Sequence, residues 1–189
     1  MSFCIYSAGH RLLNLFKKVQ DAVSRDIVLF CSTADEGNKS LGAYPAMYED
    51  TTAIACCDAN GKVVQESTEY DAQYYIHGTG LVGDSVSYMD RAVAADTRGS
   101  SASTALAAGI ASLILGCHFY AAGSSVYRRA MVKRTFDRMT RQQSRWVQPA
   151  LLFPQESIDL QDGELWIREN FSTGRFMLSP VFSYNLHQV

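Results

Sequence analysis

The sequence carries no surplus of charge of either sign. Seventeen Lys and Arg stand against nineteen Asp and Glu, a formal −2, so no global field selects nucleic acid or an anionic membrane surface as a partner. C-x-x-C spacing is absent as well. Cys4, Cys31, Cys56, Cys57 and Cys117 are odd in number and lie mostly in apolar runs, which reads as reduced core residues rather than a disulfide framework. Cys56 and Cys57 are adjacent and on a strand would point to opposite faces, which argues against a metal pair. Residues 1–6 show neither a basic n-region nor a long apolar stretch, so no secretory leader is visible and a cytoplasmic location is expected. Gly78, Gly80 and Gly83 are not followed by Lys-Ser/Thr and open no helix, so they make no phosphate loop. Neither a repeat nor a low-complexity tract appears, and no cofactor or metal is expected.

What is present is apolar material enough for one core: 189 residues, 47% hydrophobic and 11% aromatic. Residues 3–6 read as a short strand. From Leu12 to Ser24, Leu12, Leu13, Leu15, Phe16, Val19 and Val23 recur at helical spacing opposite Lys17, Lys18, Gln20 and Asp21. The apolar run Asp26–Ser32 follows, and the order strand, helix, strand predicts an α/β fold with a parallel sheet. The spacing places a central strand over 26–35, another at 51–57, an Asn60-Gly61 turn before Lys62-Val-Val, and a strand at Tyr74–His77. An Ala-rich helix follows from about Ser101, a second helix from Ser125 to Gln148, and loops and short strands beyond Pro149. Residues 102–123 are apolar or small and are followed by Arg128, Arg129, Lys133 and Arg134, the pattern of a spanning helix. Their Ala, Gly and Ser content, His118 and a short oily centre favour a buried helix, so no membrane partner is expected.

The most informative string is Arg98-Gly-Ser-Ser-Ala-Ser-Thr-Ala-Leu-Ala-Ala-Gly. A glycine turn before small hydroxyl residues can present a serine at a helix N-terminus, where the dipole and free N–H groups stabilise the negative charge that develops in acyl transfer. The plainer reading is equally physical: hydroxyl residues at helix starts are usually caps, and small helical residues usually mean close packing.

The string also resembles the serine signature of subtilases, Gly-Thr-Ser-x-Ala-x-Pro followed by a helix with Ala-Gly. Gly99, Ser100, Ser101 and Ala102 match in order, Ala105 replaces Pro, and Ala108-Gly109 fall on the helical pair. The resemblance implies that Ser101 holds the nucleophile position. Upstream, Ile27-Val-Leu-Phe-Cys-Ser-Thr-Ala-Asp-Glu-Gly looks like the subtilase strand ending Ala-Gly-Asn-Glu-Gly, whose Asn donates to the oxyanion. Asp35 stands at that oxyanion position, and an ionised carboxylate cannot donate. Ala43-Tyr-Pro-Ala-Met-Tyr and Thr52-Ala-Ile-Ala are similar to the family's Tyr-Pro-Ala loop and next strand, especially in subtilase-like domains of filamentous fungi, as are Phe136-Asp-Arg-Met and Trp146-Val-Gln-Pro.

The resemblance covers residues 3–150 and implies a subtilisin-like fold incomplete at its N-terminus, with 1–150 the C-terminal part of a peptidase domain and 151–189 an extension. It implies serine-type endopeptidase chemistry on a peptide or protein substrate. That chemistry needs a histidine base and an orienting carboxylate, which in the family precede the first strand seen here. A missing N-terminal segment or partner chain is therefore expected, and the chain alone is expected to be inactive. His77-Gly-Thr-Gly looks like the family's His-Gly-Thr-His but falls after the oxyanion strand, where the family has a Pro-Gly loop. His10, His118 and His187 have no family match as base. The alternative is a degenerate subtilase-derived binding or structural module.

Overall fold

The computed structural model describes residues 10–35, 43–64, 72–81, 98–123, 127–141, 144–153 and 159–171. The expected strand at 3–6, Cys4, Gly83 and His187 lie outside the described residues, as does the side chain of His10.

Helix α1 (His10–Ser24) buries Val19 and lays its apolar side on the turn at 43–50. Phe16 and Tyr48 meet edge to face at 5.2 Å, and Tyr48 Oη donates to the Leu12 carbonyl at 3.0 Å. The chain then reverses through Asp26, which has φ 55. Strand β1 (Phe30–Ser32) is wholly buried, β2 (Thr52–Cys57) nearly so, and β3 (Tyr74–His77) alternates buried and half-buried positions. They form a parallel sheet in the order β1-β2-β3, with Phe30 opposite Thr52 and Ile54 opposite Tyr74. The expected α/β class with a parallel sheet is what the structure has.

The strand expected over 26–35 is shorter and differently placed. It spans 30–32 and lies at the edge of the described sheet, while β2 is central. The reason is Asp26, whose carboxylate accepts the N–H groups of Arg128 and Arg129, so its backbone serves a helix start and not the ladder. The Asn60-Gly61 turn forms as the sequence implies: Asp58 Oδ1 accepts from Asn60 and Lys62 N–H, Gly61 has φ 79, and Cys57 bridges Val63 antiparallel.

Helix α2 (Ser100–Ala122) lies across all three strands. Its buried stripe, Ser103, Ala107, Ala111, Ile114 and His118, recurs every three to four residues, as one helix face must. Small side chains at 103, 107 and 111 let it approach the sheet closely. Ile114 is fully buried and contributes about 1.5–3 kcal/mol by leaving water. By length and composition α2 could cross a membrane.

The second helix is shorter than expected: α3 spans Arg128–Arg138. The chain after it is used as backbone for the sheet edge, with Tyr75 N–H donating to the Arg145 carbonyl at 2.8 Å and Val147 N–H to the Tyr75 carbonyl at 2.9 Å. The tail expected as loops and short strands instead has a 3-10 turn at Pro149–Leu151 and a helix, α4 (Leu160–Phe171). Asp159 Oδ1 caps α4 by accepting Asp162 N–H at 2.8 Å. The helix packs on α2 and sends Phe171, fully buried, into the same core as Phe136, Ile54 and Ile114.

Candidate active site

The head of α2 is where the sequence-predicted residues meet. Gly99 has φ 113, a conformation that a side chain rarely adopts, and a Cβ there would stand 2.8 Å from Asp35 Oδ2. Immediately after it, Ser100 N–H points at both oxygens of Asp35, at 3.1 and 2.9 Å. Its hydroxyl lies 2.8 Å from Asp35 Oδ2 and 2.6 Å from the Thr33 carbonyl oxygen. A hydroxyl has one proton, so the two oxygens compete for it and the shorter contact marks the Thr33 carbonyl as its main acceptor. Asp35 thus supplies the carboxylate that a helix N-terminus favours, from the exit of β1. Ser101, the next residue, is exposed in the first turn of α2.

A second clamp holds the same turn to β3. Gly99 N–H donates to the Gly78 carbonyl at 3.1 Å, and Ser103 Oγ donates to the Ile76 carbonyl at 2.8 Å. A Cβ on Gly78 would lie 2.1 Å from Ser103 Oγ and 3.1 Å from the Gly99 oxygen, so glycine is required for this close approach. Behind it, Cys56 and Cys57 are fully buried, and burial, then the neighbouring Cys56 and Asp58, push the Cys57 thiol up to about 12.

The structure therefore brings Asp35 and the Ser100-Ser101 pair together at the carboxyl ends of parallel strands. It does not bring a histidine to Ser101 by a hydrogen bond from His77, which ends β3 half-buried. His118 lies seventeen residues further along α2, about 25 Å along its axis, and burial holds its pKa below the ordinary value. Among the described residues no group of three His, Cys, Asp or Glu is arranged to hold a metal ion.

Ser100 and Gly78 were not singled out by the sequence as site residues. The hydroxyl pair after Gly99 was the one available signal for Ser100. Nothing local marks Gly78, whose role depends on Ser103 arriving from another element.

Two solved structures have the same arrangement of helices and strands. The prenylagaramide maturation protease PagA superposes with a TM-score of 0.60 at 17% identity, over 89% of this chain and 59% of that one. The PatG macrocyclase domain superposes with a TM-score of 0.59 at 16% identity, over 71% of this chain and 41% of that one. The fold is subtilisin-like. The chain spans about three-fifths of the first neighbour's length and less of the second's. No family model matches the sequence, and no curated protein matches it. Within a subtilisin-like fold, the parallel strands end on the side where Asp35 and the head of α2 meet, the side on which open α/β sheets hold their ligands.

Proposed function

We propose that this chain is the serine-bearing part of a subtilisin-like serine peptidase domain acting on peptide or protein substrates, with Ser101 at the nucleophile position and Asp35 at the oxyanion position. The observation that supports it is the junction of β1 and α2, where Ser100 hydrogen-bonds Asp35 and leaves Ser101 exposed at the start of a 23-residue helix. A nucleophile there meets the positive end of the helix dipole. A protease and a macrocyclase domain among the structural neighbours suit a peptide substrate, and the closer likeness to fungal subtilase-like domains is part of the same reading. In it, the general base and its carboxylate come from outside the described residues.

A fluorophosphonate probe tests it. The expected result is no labelling of the chain alone beyond that of Ser101→Ala, and labelling at Ser101 once a segment carrying the family's Asp and His-Gly-Thr-His stretches is supplied. Labelling of the isolated chain that disappears in Ser101→Ala would place a base within the chain. If neither preparation is labelled, the peptidase reading is wrong. One observation favours a second reading, a subtilisin-fold binding module without chemistry. The Asp35 carboxylate is already engaged by Ser100, as a structural cap would be.

A further inference from the structure

At the opposite end of the sheet from Ser101, a cavity of about 370 Å³ opens where the three strands begin. Phe30, Thr52 and Tyr74, the first residues of β1, β2 and β3, line it together with Phe136 of α3. Its aromatic wall is preformed: the Phe136 ring lies 5.4 Å from that of Phe30 and 5.3 Å from that of Tyr74. The Tyr74 hydroxyl is held by Asp137 Oδ1 at 2.6 Å, so this wall is set without a ligand.

The rim carries both signs of charge. Arg129 and Lys133 line it from one face of α3, a helical turn apart, and Asp26, Glu49 and Asp50 line it from the loops before β1 and β2. Most of these charges are already answered. Asp26 accepts the N–H groups at the head of α3. Asp50 accepts from Gln20 Nε2 at 2.8 Å and from Arg129 Nη2 at 3.3 Å. Two are loosely answered: Lys133 Nζ is 3.8 Å from Asp137 in a largely exposed pair, and Glu49 makes no ion pair among the described residues. The cavity thus offers one ammonium and one carboxylate beside an aromatic wall.

The backbone adds a separate observation. Asp26 (φ 55) and Tyr127 (φ 74) are the non-glycine residues with positive φ among the described residues, and both line this cavity. Such conformations cost free energy and gather at ligand sites. Tyr127 stands at the rim 72% exposed.

We propose that this cavity binds a free α-amino acid with an aromatic or branched apolar side chain, held as its zwitterion. The volume lies at the small end of the range for ligand sites, roughly 300–1,000 Å³, which suits one amino acid better than a nucleotide or an extended peptide. The apolar side chain packs on Phe30, Tyr74 and Phe136. The ligand carboxylate meets Lys133 and the remaining guanidinium N–H groups of Arg129, and its ammonium meets Glu49. A ligand of one charge alone would leave the other sign of the rim unanswered. This site is independent of the chemistry proposed for Ser101.

Calorimetry and thermal melts of the full chain with L-phenylalanine and L-leucine test the proposal. The expected result is saturable binding that raises the melting temperature with ligand concentration and is absent with glycine. Because each blocked charge removes a charge-assisted hydrogen bond, N-acetyl-L-phenylalanine and L-phenylalanine amide should each bind about tenfold more weakly or worse. Lys133→Met should erase the penalty for amidation, and Glu49→Gln the penalty for acetylation. Both side chains are exposed, so the unliganded melting temperature should not move. No binding by either amino acid would overturn the proposal, as would blocked forms that bind as well as the free ones, which would point to an extended peptide as the occupant.

Discussion

Asp35 accepts the backbone N–H of Ser100 through both carboxylate oxygens, at 3.1 and 2.9 Å, across 65 positions of sequence. A loop residue at the exit of one strand therefore caps the helix that follows the third strand. The position of Ser101 relative to the sheet depends on that contact and on the Gly99–Gly78 hydrogen bond beside it.

Removing the cap should be measurable apart from any chemistry. Asp35→Ala is expected to lower the unfolding free energy by about 1–2 kcal/mol, the usual cost of losing a side-chain N-cap. Asp35→Asn keeps an acceptor for Ser100 N–H and should cost less. Urea titrations of the three proteins check the order, and an alanine variant as stable as the parent would remove the structural role.

Asp35→Asn carries a second consequence at the proposed peptidase site. An amide can donate where a carboxylate cannot. In the preparation supplied with Asp and His segments, the variant should label Ser101 faster with a fluorophosphonate than the parent does. A slower rate would mean that Asp35 is not at the oxyanion position.

Gly78→Ala should disturb the head of α2 more than its size suggests, because the added methyl would meet Ser103 Oγ and the Gly99 carbonyl oxygen. Both neighbours are fixed by hydrogen bonds, so the backbone must shift. Pairing the change with Ser103→Ala frees the space beside the side chain and should recover part of the loss, which a double-mutant cycle reads directly.

Phe136 is fully buried between Phe30 and Tyr74. Phe136→Ala is expected to cost about 3–5 kcal/mol, the range for emptying a buried aromatic site. Denaturant unfolding gives the number, and a loss below 1 kcal/mol would contradict the observed packing.

Alkaline sensitivity follows from two buried acids. Burial and the hydrogen bond to Asp137 raise the pKa of Tyr74, and burial raises that of Cys57 to about 12. The unfolded chain releases these protons near 10 and 8.5, while the folded chain holds them. Above those values the unfolded state binds fewer protons, so stability falls as pH rises. From about pH 8.5 upward the unfolding free energy should decline, and Tyr74→Phe with Cys57→Ala should flatten the decline. A parent protein whose stability is level to pH 11 would refute this.

The sequence by itself determined the elements whose signal is local. The continuous apolar run of β2, the helical spacing of α1, the Asn60-Gly61 turn and the glycine before two serines at the head of α2 all rest on neighbours a few positions apart. From their order came the parallel sheet, and from the serine string the residues at the strand ends. The Asp159 cap with Trp166, Ile167 and Phe171 was also legible as a helix, although α4 was expected as loops and short strands. Tertiary structure alone decided the rest. Asp26 left the β1 ladder because its carboxylate reaches α3, and α3 stopped at Arg138 because the chain beyond it was needed along the edge of β3. Likewise, the aromatic wall of the cavity joins Phe30, Tyr74 and Phe136, residues that no local pattern pairs. Hydrogen-bond partners and packing neighbours so far apart in sequence are chosen by which surfaces the folded sheet brings together, and side-chain spacing along the chain carries no record of that choice.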